Sequence, residues 1–123
     1  MVEYNHTQNQ KLDQIFHALA DTTRRRILDQ LKKHPRRVTD LARHHDMSLN
    51  AVSKHLKVLE KADLIKRRVQ GRTHLCSFNG PRLKEVEKWM GHYREFWEKR
   101  LDALDDFVVS RSKISRKKLR RTK

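Results

Sequence analysis

The sequence predicts a mainly α-helical domain with one small β-hairpin and a long C-terminal helix. Three observations predict it. Short apolar stripes at helical spacing are separated by good N-cap residues. The period changes to strand-like over residues 64–78. A heptad-like apolar seam then runs from Leu83 to Val108.

Leu12, Ile15, Phe16 and Leu19 recur at helical spacing and predict a first helix over about 8–20, after a polar lead-in. Asp21 suits the N-cap of a second helix, which buries Ile27, Leu28 and Leu31 and stops before Pro35. Thr39 is expected to cap a short third helix with Leu41 and Ala42 inward. Ser48 is expected to cap a fourth, with Val52, Leu56 and Leu59 as its buried stripe. Leu64–Gln70 and Thr73–Phe78 read as strands around the turn Gly71-Arg72. Pro81 opens the last helix, because proline is tolerated in a first turn.

The last helix carries Leu83, Val86, Met90, Tyr93, Trp97, Leu101, Leu104 and Val108 at steps of three and four. Trp89, Phe96 and Phe107 widen that face. Residues 81–108 make a rod of about 42 Å at 1.5 Å per residue. A domain of this size has a radius of gyration near only ~13 Å. The seam therefore calls for a second surface. A two-fold homodimer through residues 81–108, helped by the first helix, is the simplest supply.

The chain has 123 residues and a formal charge of +15, from 30 Lys and Arg against 15 Asp and Glu. One domain is expected at this length. The charge points to a polyanionic partner. Residues 110–123, SRSKISRKKLRRTK, hold eight of the basic residues and no acid, leaving +7 on residues 1–109. The division expected is a folded domain over 1–109 and a disordered basic tail over 110–123. No apolar run approaches a membrane span, and MVEYNHTQNQ lacks a signal-peptide core, so no membrane partner and a cytoplasmic location are expected. The lone Cys76 excludes an intrachain disulfide. Paired catalytic carboxylates, a nucleophile elbow, a phosphate loop and HExxH are all missing from the sequence, so an enzyme is not expected.

The third and fourth helices are joined tightly by His45-Asp46-Met47, which reads as a helix-turn-helix with residues 48–60 as recognition helix. Opposite its core stripe lie Asn50, Ser53, Lys54 and Lys57, with no acid until Glu60. Asparagine can bond adenine edges, lysine guanine or phosphate, and serine either. The helix start at Ser48 also favours phosphate. Lys66, Arg67, Arg68 and Arg72 flank the hairpin turn, where they can follow a DNA backbone or minor groove.

These segments resemble the ArsR family of bacterial regulators. Residues 17–28, HALADTTRRRIL, resemble its opening signature around Ala-Asp-Pro-Thr-Arg. Residues 48–60, SLNAVSKHLKVLE, are similar to its recognition helix, and 64–76, LIKRRVQGRTHLC, to its wing. Residues 89–108 resemble a subgroup without metal sites. The match covers about 12–108. Thr22 stands where the family usually has proline and Asp63 where it usually has glycine. Asp63 is then expected to close the recognition helix in a left-handed conformation. The resemblance implies a winged helix-turn-helix with a dimerisation helix, and a dimeric repressor of transcription on double-stranded DNA. It carries DNA contacts over to Asn50, Ser53, Lys54 and Arg72. Leu49 also lies at a family contact position, where an apolar side chain offers only a thymine-methyl contact.

No cofactor or metal is expected. The family's Cys-x-Cys on the third helix is replaced by VTDLA at 38–42, and His92 is the single histidine of the last helix. The alternative function is a non-specific architectural protein that binds nucleic acid through charge alone. A salt titration on specific and random duplexes separates the two.

Overall fold

The computed structural model describes residues 4–121 of the backbone and the side chains of 4–111. The expectations placed on 1–3, and on side chains beyond Arg111, lie outside the described residues.

Helix α1 spans His6–Leu19. Its start comes earlier than the apolar pattern suggested because Asn5 caps it: Asn5 Oδ1 accepts from Gln8 N, and Gln8 Oε1 accepts from Asn5 N. Leu12, Ile15 and Ala18 are buried, whereas Phe16, expected in the stripe, is 37% exposed. Helix α2, Thr22–Lys33, is capped by Asp21, whose carboxylate accepts from Arg24 N at 3.0 Å. It ends at His34, which is extended (φ −168°) as the residue before a proline prefers.

Strand β1 is only Arg36–Arg37 and leads directly into α3, Val38–His44. The expected cap at Thr39 is not used. Arg37 is the N-cap and makes no side-chain cap bond, because the chain enters α3 straight from the strand. Helix α4, Leu49–Lys61, is followed by β2, Ile65–Gln70, and β3, Thr73–Phe78. Gly71 holds the turn at φ +61°, a conformation glycine adopts without steric cost. The sheet is antiparallel with order β1-β3-β2, so β3 is central. Arg36 faces Cys76 across one ladder, and Arg67 faces Cys76 across the other. Sequence reading found the hairpin but not β1.

The core joins Ile15, Ile27, Leu31, Leu41, Val52, Leu56, Leu59, Leu64 and Cys76, with Leu83 and Val86 packed against it. A single 3-10 turn, Gly80–Arg82, takes Pro81 ahead of α5, Leu83–Arg121. The compact unit ends at Glu87, and Lys88 onward forms a second unit from the rest of α5.

The backbone of α5 is helical to Arg121. Arginine and lysine are good helix formers, no Pro or Gly follows Gly91, and cations suit a helix C-terminus. Along residues 90–108 the apolar positions are open: Met90, Tyr93, Phe96, Trp97, Leu101, Leu104 and Phe107 are each 50–57% exposed in the single chain.

Candidate nucleic-acid interface

The tight connection between α3 and α4 is a left-handed helix stop. Asp46 sits at φ +51°. Asp46 N donates to Arg43 O at 3.2 Å, and Met47 N to Ala42 O at 2.9 Å, the paired bonds of a Schellman motif. The chain reverses at once, and Ser48 Oγ caps α4 by accepting from Ala51 N at 3.1 Å. Helix α4 ends in the same way. Asp63, at φ +57°, adopts the left-handed conformation expected of it. Asp63 N donates to Glu60 O at 2.9 Å and Leu64 N to Leu59 O at 3.0 Å. Asp63 is fixed further by Asn79 Nδ2, which donates to its carbonyl at 2.6 Å, and by Arg82 at 3.1 Å from its carboxylate.

Behind α4 stands a polar clamp. Arg24 Nε donates to Ala18 O at 2.8 Å and Nη2 to His17 O at 2.9 Å, so one guanidinium binds two carbonyls at the end of α1, one of which, His17 O, also accepts from Ala20 N at 3.2 Å. Its Nη1 lies 3.5 Å from His55 Nδ1, and Asp21 Oδ2 is 3.7 Å from the same nitrogen. The Arg24 backbone N–H and guanidinium hold Asp21 below the ordinary carboxylate range. HALADTTRRRIL is therefore a joint. It closes α1, caps α2 and braces α4 through His55.

In front, α4 presents two rows. Leu49, 53% exposed, and the half-buried Ser53 line an open groove of about 420 Å³. Its other walls are Arg37, Val38 and Thr39 from the start of α3, and Arg67, Arg72, Thr73 and His74 from the hairpin. None of these nine lining residues is a carboxylate. Asn50, Lys54 and Lys57 are exposed one step around the helix, beside the groove rather than in it. Arg68 also lies outside it, because its neighbour Arg67 takes the groove side and successive strand residues alternate faces.

Two of the groove's arginines already have anions at their outer edge. Arg37 pairs with Asp40 at 3.1 Å, and that hydrogen bond lowers the Asp40 carboxyl from its usual range. Arg67 Nη2 meets Glu60 Oε1 at 2.6 Å, a contact whose angles miss those of a hydrogen bond. Arg72, at the hairpin tip, makes no ion pair among the described residues. Sequence reasoning did not single out Arg37, Thr39, Thr73 and His74, because their place beside α4 depends on the packing of α3 on α4 and on the pairing of β3 with its two neighbours.

The other sequence candidates are placed as follows. His45 Nε2 lies 2.6 Å from Gln30 Oε1, and burial pushes its imidazole below the ordinary value. Burial pushes the Cys76 thiol up, so it stays a protonated core group. No group of three or more His, Cys, Asp or Glu is placed to hold a metal among the described residues. None of their helices is long and apolar enough to cross a membrane.

Residues 21–67, from the α2 cap to the middle of β2, match the family model described as the bacterial regulatory protein, arsR family. The chain is 34% identical over 79 residues to the transcriptional repressor SdpR of Bacillus subtilis, covering 64% of this chain and 88% of that protein. The chain belongs to the ArsR family. A crystal structure of an ArsR family transcriptional regulator, RHA00566, superposes with TM-score 0.71 at 37% identity, over 80% of this chain and 97% of that one. A solution structure of a homodimeric winged helix-turn-helix DNA-binding domain from Mycobacterium bovis shares the fold. It has TM-score 0.56 at 24% identity, over 77% and 91% of the two chains. This ArsR-family chain is thus a DNA-binding winged helix-turn-helix regulator of transcription, with α3 and α4 as the helix-turn-helix and β2–β3 as the wing. Its family is one of transcription regulators, not enzymes.

Proposed function

We propose that the protein is a cytoplasmic repressor that binds a palindromic operator as a homodimer. The acid-free groove between α4 and the wing carries this reading. A groove lined by three arginines and small hydroxyls suits a sugar–phosphate strand. The exposed row Asn50, Lys54 and Lys57 then faces base edges in the adjacent major groove, with Ser53 and Leu49 at the boundary. Ser48 keeps a hydroxyl proton to offer a phosphate, while Arg72 and Arg68 hold the backbone from the wing.

Dimerisation through residues 81–108 and α1 is supported by the open apolar face of α5, and the Mycobacterium bovis domain is itself homodimeric. Repression is supported by the likeness to SdpR, which is named a repressor.

The test is selection of bound duplexes from a random library, then affinity on the selected site and on random DNA. A ratio of roughly 10³ or more is expected of a specific regulator. Asn50→Ala, Ser53→Ala and Lys54→Ala should each cost about 1–3 kcal/mol on the selected site and less on random DNA. Equal affinity for both duplexes would instead support the architectural alternative that the +15 charge invites.

A further inference from the structure

Two arginines of the groove are met by carboxylates, and the two pairs differ in where they sit. Arg37 and Asp40 are three residues apart at the start of α3, and 58% of the Arg37 side chain is exposed. A local, exposed pair of this kind holds its arginine weakly. Arg67 and Glu60 instead join two elements, strand β2 and the last turn of α4. Their side chains are only 20% and 35% exposed, and Arg67 Nη2 stands 2.6 Å from Glu60 Oε1. Arg67 is also registered opposite Cys76, which is wholly buried. Its Nε and Nη2 are closed off from solvent, which leaves Nη1 as the nitrogen open to the groove that Arg67 lines. Glu60 is the single acid of α4.

We propose that Glu60 is a specificity-determining residue, which fixes Arg67 from behind so that its guanidinium meets a phosphate at one separation between α4 and the wing. The inference rests on the reading of the groove as the seat of a sugar–phosphate strand and deepens it. A free arginine samples many rotamers and follows whatever phosphate is in reach. A held one does not. On a duplex whose backbone passes at the right separation, Arg67 is already ordered, and binding loses little side-chain entropy there. On other duplexes the fixed guanidinium falls short, and the Glu60 carboxylate is left to repel the strand. One carboxylate thus favours the right site and disfavours the wrong ones.

The test compares the full natural chain with Glu60→Gln, Arg67→Lys, Arg67→Gln and the double variant Glu60→Gln, Arg67→Gln. Glutamine keeps the shape of glutamate without its charge. Affinity is measured on the selected site and on a random duplex at several salt concentrations, and folding by urea denaturation. Glu60→Gln should bind the selected site more weakly and random DNA more tightly. The ratio of the two affinities should fall roughly tenfold, the worth of one long side chain ordered in advance. The slope of log K against log salt on random DNA should steepen by about 2 for a dimer, as each released Arg67 neutralises one further phosphate. Arg67→Lys keeps the charge but lacks the planar fork, and should lower the ratio in the same direction. In the Arg67→Gln background, Glu60→Gln should alter neither ratio nor slope, because Glu60 acts through Arg67. An unchanged ratio in Glu60→Gln or in Arg67→Lys overturns the proposal, and a lowered urea midpoint alongside it would make the pair a tie within the fold and no more. An equal fall in both backgrounds also overturns it, since Glu60 would then act without Arg67. Arg67→Gln separates this failure from that of the groove: unaltered binding to both duplexes would remove the groove reading as well, whereas weakened binding would leave that reading in place.

Discussion

Arg24 Nη1 lies 3.5 Å from His55 Nδ1, and through that contact the end of α1 is tied to the back of the reading helix. The same guanidinium holds two carbonyls of α1. Arg24→Ala therefore removes a charged donor from both carbonyls, although His17 O keeps its bond from Ala20 N. It should destabilise the fold by about 1.5–3 kcal/mol, the usual worth of hydrogen bonds from a charged group. Arg24→Lys should recover only part of this, since an ammonium cannot reproduce the fork. Urea denaturation with an unchanged midpoint for Arg24→Ala would show the clamp to be ornamental.

The two left-handed aspartates predict a contrast within one position. Asp46→Val should cost about 1–2 kcal/mol, because a β-branched residue resists φ +51°. Asp46→Gly should cost nothing or add stability. Similar losses for both variants would place the effect in the Asp46 side chain instead.

Arg72 is expected to meet phosphate, not bases. Arg72→Ala should weaken binding to all duplexes alike and lower the salt slope by about 2 for a dimer. A loss confined to particular operator positions would make it a base reader.

Acid should weaken the fold through His45. Its pKa is depressed by burial first and by His44 next, from an ordinary 6.5. The unfolded chain therefore takes up the proton first as pH falls. Stability is full above about 6.5 and declines below it, down to the lower folded value. His45→Asn keeps a donor for Gln30 and should flatten that part of the pH–stability curve. An equally steep decline in His45→Asn assigns the effect to another histidine.

Trp97→Asp combined with Leu101→Asp should convert the proposed dimer to monomer in sedimentation, since both side chains are more than half exposed in the single chain. A dimer of unchanged strength would move the interface off α5.

Local chemistry made much of this fold readable. Asp21 and Ser48 announce helix starts because a short oxygen-bearing side chain satisfies the first N–H groups. The left-handed turn at Asp63 followed from the resemblance, because the family usually has glycine there. Strand β1 was not readable. Two residues carry no period, and their partner lies far along the chain on β3. The groove shared that fate. Ser53 and Arg72 were found on their own elements, but Arg37 and His74 join them through the sheet and Thr39 through the packing of α3 on α4. Phe16 misled because it borders the true stripe of Leu12, Ile15 and Ala18.

The two-residue strand has one more consequence. Arg36–Arg37 is laddered to β3 and runs without a break into α3, so the wing shares a backbone sheet with the helix-turn-helix. The separation between α4 and the wing tip is therefore set by the sheet and not by a hinge. A fixed separation behaves as a caliper. It fits DNA whose groove already has that width and charges a deformation cost to DNA that does not. Base pairs that no side chain touches then contribute to the choice of site, through the stiffness and shape of the duplex between the contacts.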